Sequence, residues 1–504
     1  MVVEWQSHAQ FQHFLLSQFS QRYGSVEKQK ILNFYQSTIA KVWLTDLTPA
    51  IPILEPCYAS TRRGKAPRDP LAMLRAFLVM SLEGYVSITK WVRALRTRPL
   101  LAILCGFEPN ETPGVGTFYE FIDRLWLAPR HTESRQKPFV PKPRRRGKRN
   151  EKLETPKHPG SVERLVNRIA KYQDAPAPPA PFDVVMNLFK HCFVLPSAHF
   201  GLLGDPSNLS LAGDGTTVRS GSSRFGRKTC SCHQQGIYDC QCPRSFSDPN
   251  ASWGWDSYRE EYFWGRSLYE FVASDSPYDL PVYFMLAAAQ RHDSILCVSA
   301  LDRARKFYPE FSFSELSLDA AHDAYPIYCL LDSWNITPII AANPRKNPNP
   351  EHEKFHLTAT GVPICQCGMP MVYNGLNLKR RRTKWRCPVA AGKLAKCLNP
   401  KPCSSSPYGR VVYTTFEENL RLFRAPPRDS ALWKKKYKKR SASERSNKRK
   451  KCDYHLEDTR VRDTKHWYFR TFITASLQHI DAWFKHFEKK VLPNILQDLY
   501  TMAS

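Results

Sequence analysis

Residues 209–218, LSLAGDGTTV, decide how the rest of the chain is read. Apolar and β-branched residues around a Gly-Asp-Gly triplet read as a strand running into a turn, with Asp214 at the strand's end. A lone carboxylate after a strand is an ordinary solvated turn residue. It gains chemical meaning only if other acids reach the same point, so the neighbouring segments matter.

Downstream, 268–273 and 282–289 read as two further strands, separated by the turn SDSPYDLP (274–281). Residues 293–307 read as a helix, 315–318 as a strand ending at Asp319, 322–334 as a helix and 336–341 as a strand. Three strands, helix, strand, helix, strand and a late helix make the order of a ribonuclease-H-like α/β domain with a mixed sheet. That domain is expected over 183–490. The intervals 220–262 and 343–432 hold the cysteine clusters and read as insertions.

Upstream, residues 1–130 read as a helical domain. The stretch 69–95, DPLAMLRAFLVMSLEGYVSITKWVRAL, has apolar residues at helical spacing with a break at Gly84, and another short helix begins near Thr117. Residues 131–182 read as a basic, Pro-rich linker with one short helix at 161–173. The fold class expected is multidomain: an N-terminal helical domain, then a mixed-sheet core with two cysteine-rich insertions.

The chain has 504 residues and a formal net charge of +28. Self-repulsion of that size points to a polyanionic partner. The best apolar run, 71–82, is too short for a bilayer and carries Arg75. The N-terminus lacks the charged and apolar regions of a signal peptide. The expectation is a cytoplasmic, nucleoid-associated protein that binds double-stranded DNA and no membrane.

The late helix sharpens this. Residues 434–451, KKKYKKRSASERSNKRKK, hold eleven Lys or Arg and one acid, Glu444. Tyr437, Arg440, Glu444 and Lys451 stand at relative positions 0, 3, 7 and 14, an arc of roughly 60° on an ideal helix. A phenol, a guanidinium, a carboxylate and an ammonium then face one ligand. Asp214 and Asp319 with Glu444 form a carboxylate triad that needs cations to neutralise it. Two Mg²⁺ (or Mn²⁺) ions held by shared carboxylates suit phosphodiester displacement.

The pattern Tyr-x2-Arg-x3-Glu-x6-Lys at 437–451 resembles the YREK signature of DDE transposases of bacterial insertion sequences. GDGTT around Asp214 resembles the family's first-aspartate strand. LDAAHDAYPI, with Asp319, His322 and Asp323, resembles its second-aspartate motif, with His322 where tyrosine is common. HDS at 292–294 resembles a family turn, and DPLAMLRAFL and GTFYEFIDRL resemble the helical domain preceding such cores. The resemblance implies that Asp214, Asp319 and Glu444 coordinate two divalent ions, that water is activated to nick the transposon end, and that the freed 3′-hydroxyl attacks target DNA. Tyr437, Arg440 and Lys451 hold phosphates near the cut. Asp323 is the rival of Asp319, which is preferred because it directly follows its strand. Cutting two ends implies at least a homodimer on DNA.

Nine of the fifteen cysteines cluster. Cys230, Cys232, Cys240 and Cys242, with His233 adjacent, suit tetrahedral Zn²⁺. Cys365, Cys367, Cys387, Cys397 and Cys403 read as an irregular ribbon of which any four could ligate Zn²⁺. Trp385, among the basic residues 377–387, reads as a structural tryptophan or a platform for unpaired bases. The helix at 465–487 reads as amphipathic, covering the sheet or contributing to a dimer interface. Two further readings are a zinc-containing DNA-binding protein without catalysis and a nuclease that does not join strands.

Overall fold

The structure is a computed structural model and describes residues 3–58, 66–128, 136–137, 159–343, 350–397, 403–428 and 430–501. The N-terminal helices are α1 (His8–Arg22), α2 (Ser25–Leu44), α3 (Pro70–Leu82), α4 (Ile88–Thr97), α5 (Pro99–Cys105) and α6 (Val115–Arg124). Their ends follow capping chemistry. Ser7 and Gln10 form a capping box on α1, and Asp69 accepts from the Leu71 and Ala72 N–H groups, with Pro70 in the first turn of α3. α3 is buried on every side over 70–80. Arg75 within it is fully enclosed: its guanidinium lies 3.6 Å from the Phe11 ring centroid and donates to the Cys105 carbonyl at 3.1 Å. The break at Gly84 is present, with φ +71°.

Residues 138–158 of the expected linker lie outside the described residues. Beyond them come α7 (Ser161–Lys171) and α8 (Asp183–Phe189). The sheet follows: β1 (Leu209–Arg219), β2 (Ser252–Asp256), β3 (Glu261–Ala273), β4 (Pro281–Ala288), then α9 (Asp293–Phe307), β5 (Phe313–Leu318), α10 (Tyr325–Ser333) and β6 (Thr337–Ile340). β1 is central. It pairs antiparallel with β3 on one side and parallel with β5 on the other, and β5 pairs parallel with β6. The far edge of β3 is shared: β2 pairs with its first half and β4 with its second.

Three expectations need correction. β1 does not stop in a turn at Asp214; it continues to Arg219, paired throughout with β3, so Asp214 is mid-strand. β3 starts at Glu261 rather than 268, and β2 forms a hairpin with it, so the aromatic stretch 253–265 is part of the sheet. The segment after Asp319 begins as a 3-10 turn (Ala320–His322), and α10 starts only at Tyr325.

The second cysteine-bearing interval carries a separate antiparallel sheet of β7 (Val372–Asn377), β8 (Arg382–Arg386) and β9 (Val411–Thr415). Then come α11 (Ala431–Tyr437), a 3-10 turn (Lys438–Arg440), α12 (Ser441–Cys452) and α13 (Thr464–Thr501).

α13 departs most from its expected form. Every residue from 467 to 483 except Arg470 and Asp481 is buried, including Thr471, Thr474, Gln478 and His479. Its flanks meet both halves of the chain. Phe469 lies 4.6 Å from Phe77 of α3, and Tyr468 stacks at 4.4 Å on Phe182 while accepting from the Leu286 N–H of β4. One apolar cluster therefore runs from Phe11 through the sheet to Trp483. A one-sided stripe is ruled out over this segment because both faces are covered. Among the described residues, no helix is long and apolar enough to cross a membrane.

Candidate active site

Register brings the two aspartates together. Ala212 of β1 lies beside Ser317 of parallel β5. Two residues further along each chain stand Asp214 and Asp319, on the same face by strand alternation. That face is covered by α12, whose Ala442 packs on Ala212 and Val272. The opposite face carries Gly213 and Gly215. A Cβ on Gly213 would lie 2.8 Å from the Tyr269 hydroxyl, and one on Gly215 would lie 2.4 Å from Asp293 Oδ1. Both glycines are required by close approach. Asp293, at the start of α9, is thus a fourth acid pressed against β1; the HDS triplet was its only signal in the sequence.

The acids sense one another. Burial pushes the Asp214 carboxyl up to about 7, with Asp319, Asp293 and Glu444 adding to the rise and Arg440 opposing it. Burial also raises Asp293, and Asp319 adds to it. For Asp319 burial is outweighed, and its carboxyl lies below the ordinary range: His322 Nδ1 is 2.5 Å from Oδ1, and the Ala321 N–H donates at 3.1 Å. His322 is itself buried and reaches the Tyr269 hydroxyl through Nε2 at 3.0 Å.

Asp323 is fully buried and consumed. It accepts from Arg421 Nε and Nη2, from the Tyr328 hydroxyl, from the Asn343 N–H and from Arg428. Asp319 keeps 39 % of its side chain exposed, so of the two acids it has oxygen available.

The late helix is bent in phase by the 3-10 turn between Tyr437 and Ser441, so the ideal 60° arc is not followed. Tyr437 stacks on Trp433 at 4.6 Å, with Arg440 5.7 Å above its ring. Arg440 Nη2 binds Glu444 Oε1 at 2.6 Å. Lys451 points to the far end of β1, 3.4 Å from Thr217 Oγ1 and 3.3 Å from Glu457. A residue not singled out from sequence anchors the helix: Lys450 is fully buried and ion-paired with Glu270 of β3, directly opposite Asp214. A cleft of about 750 Å³ opens beside Asp293, lined also by Gly215, Thr217, Trp255, Arg259 and Lys451; Asp214, Asp319 and Glu444 do not line it.

The oxygen-rich donor set suits a hard divalent cation. Among the described residues, however, only Cys230, Cys232, Cys240 and Cys242 bring three or more ligand atoms within 4.8 Å of one another. Cys230 Sγ lies 3.5 Å from Cys240 Sγ, and Cys232 Sγ 3.6 Å from Cys242 Sγ. Zn–S bonds of about 2.3 Å in a tetrahedron require about 3.8 Å between sulfurs. Within the set the thiols share protons: the Cys232 N–H and the Cys240 thiol lower Cys230, while hydrogen bonding to its neighbours raises Cys232, and Cys242 is raised too. This set could bind a metal such as zinc. In the second cluster, Cys365, Cys367 and Cys387 are buried with Trp385 and Met371, and Cys397 and Cys403 pack beside them. Trp385 is a core residue, donating from Nε1 to Thr414 Oγ1 at 2.9 Å.

Residues 31–124 match the family model described as a transposase domain (DUF772). The match spans most of α2 and runs to the end of α6, ahead of all four acids. It covers 94 of the 504 residues and supports a relation to transposases over that segment. No curated protein and no solved structure matches the chain.

Proposed function

We propose that the protein is a DDE transposase with a ribonuclease-H-like core, cleaving DNA at transposon ends and joining the freed 3′-hydroxyl to target DNA. The observation that carries this reading is the behaviour of Asp214. Its carboxyl is pushed up to about 7 by burial and by Asp319, Asp293 and Glu444. Asp214 and Asp319 share one sheet face and Asp293 presses on the other, a crowding of acids whose cost a divalent cation offsets. The strand order β4-β3-β1-β5-β6, with only β3 running against the rest, supports the core assignment, and the transposase-domain match supports the reaction class.

Asp214, Asp319 and Glu444 are the proposed ligands of Mg²⁺ or Mn²⁺. When bound, the cations activate the attacking oxygen and neutralise the leaving one. The residues do the rest. His322 fixes one Asp319 oxygen and leaves the other free. Glu444 would join Asp214 and Asp319 in holding the cation, and Arg440, with Tyr437 and Lys451, would grip phosphates. The Cys230 set holds a structural zinc. The assembly acts as a homodimer on two DNA ends.

The test is nicking of supercoiled DNA carrying the element's own ends. Mg²⁺-dependent nicking that Glu444→Gln lowers at least about a hundredfold is expected. Nicking retained in that variant, or independent of divalent ions, removes the assignment. A strand-transfer assay on the same DNA separates a transposase from a nuclease that only cuts.

A further inference from the structure

We infer that the outer face of the β7–β9 sheet is a docking surface for the phosphate backbone of duplex DNA, separate from the acids and read without regard to base sequence. The inference rests on the proposed reading that DNA is the partner.

Strand alternation creates the surface. In β8, Thr383 and Trp385 turn inward and are at most 4 % exposed. Arg382, Lys384 and Arg386 therefore share the outer face, spaced about 6.8 Å apart along the strand. None of the three is ion-paired with an acid among the described residues. Their neighbour Arg381, by contrast, is consumed by Glu417 and Asp332.

The tyrosines on this face act on the cations. Arg382 lies 4.1 Å over the Tyr413 ring, and Arg386 3.8 Å over Tyr408. Lys384 is 3.1 Å from the Tyr408 hydroxyl, which itself donates to Asn374 Oδ1 at 2.7 Å. Arg386 Nε donates to the Tyr408 carbonyl at 2.8 Å. The rings hold the guanidiniums at fixed positions with N–H groups left over, which lowers the ordering cost of gripping an anion. A cation already lies over each ring, so what the face offers first is N–H donors, although both tyrosines stay about 40% exposed. That favours phosphates over unpaired bases, and backbone over sequence. The exposed Lys379 and Arg380 extend the positive edge at the β7–β8 turn.

The test is fluorescence anisotropy of the full-length protein with a labelled 30-bp duplex of arbitrary sequence, over a series of salt concentrations. The variant R382Q/K384Q/R386Q is compared with R164Q/R168Q/K171Q, which removes equal charge from the exposed side of α7. Each lost phosphate contact removes roughly 0.9 from the slope of log K against log salt. The sheet variant is expected to lose about 2 to 3 from that slope and to bind about tenfold more weakly or worse; the α7 variant is expected to follow wild type. Lys384→Gln alone should lose about 1 and stands in if the triple variant does not fold. Equal slopes for wild type and sheet variant, or equal losses in both triples, overturn the docking surface and leave the proposed reaction standing. A wild-type protein that binds no duplex overturns both.

Discussion

Asp214 is held between a sheet that buries it and three acids that repel its charge. Folding favours its protonated form: the carboxyl moves from 3.8 to about 7. Between those values the folded chain keeps a proton that the unfolded chain has released, so stability of the metal-free protein falls as pH rises from about 4 to about 7 and then levels off. Thermal melts across that range should show the decline, on the order of a few kcal/mol. Asp214→Asn should flatten it, and millimolar Mg²⁺ at pH 8 should restore it in the wild type only. A flat profile in the wild type contradicts the crowding of the acids. Asp319 and Asp323 have lowered values, so their contribution is lost only as pH falls below about 4, outside this window.

Asp214, Asp319 and Glu444 stand out in the sequence because they are acids set in glycine-rich or basic surroundings. Arg421 and Arg428 enclose Asp323, while Asp319 keeps part of its side chain exposed. What escaped was Asp293, whose approach depends on Gly215 lacking a side chain. Nothing in the one-dimensional pattern shows which side of a strand a later helix will cover.

At the scale of the element, α12 is set on the sheet by two contacts: Ala442 against Ala212 and Val272, and the buried pair of Lys450 with Glu270. Replacing one partner of a buried pair strands the other, a loss of about 3–5 kcal/mol. Lys450→Met should therefore lower the urea midpoint markedly, and Lys450→Met with Glu270→Leu should recover most of it. If the single variant unfolds with the wild type, the pair does not hold the helix. Sequence reasoning chose Lys451 by spacing on an ideal helix and gave Lys450 no role. The 3-10 turn at 438–440 alters that spacing, and a basic run gives no sign of which lysine is enclosed. β2 went unread for a related reason. Trp253 and Trp255, 42 % and 53 % exposed, put aromatic residues on its open side, so the hairpin lacks a polar-outward alternation.

At the scale of the whole molecule, one apolar interior joins the N-terminal helices to the sheet and α13. Phe77, Phe121 and Phe469 form one aromatic group, and Lys41 of α2 pairs with Asp481 of α13 at 2.8 Å. Urea unfolding followed by tryptophan fluorescence and by far-UV circular dichroism should give coincident single transitions. A chain of residues 159–504 should be insoluble or lack near-UV structure, since α13 would then expose its second face. A truncated chain with native-like near-UV signal would restore the two-domain picture. The helical assignments at both ends were legible from periodicity. Their union was not, because a helix apolar on one side and rich in Thr, Ser, Gln and His on the other imitates a solvent-facing surface until its polar residues find partners, as His479 does with Ser197 and the Pro281 carbonyl.

The all-round burial of α13 also bears on the order of synthesis. The first helices leave the ribosome more than three hundred residues before the segment that fills the groove between them and the sheet. At ~5–20 residues per second that is a wait of roughly fifteen seconds to a minute. During it the nascent chain presents an open apolar seam, the kind of surface that chaperones hold, and premature termination anywhere upstream of Trp467 leaves a product that cannot close.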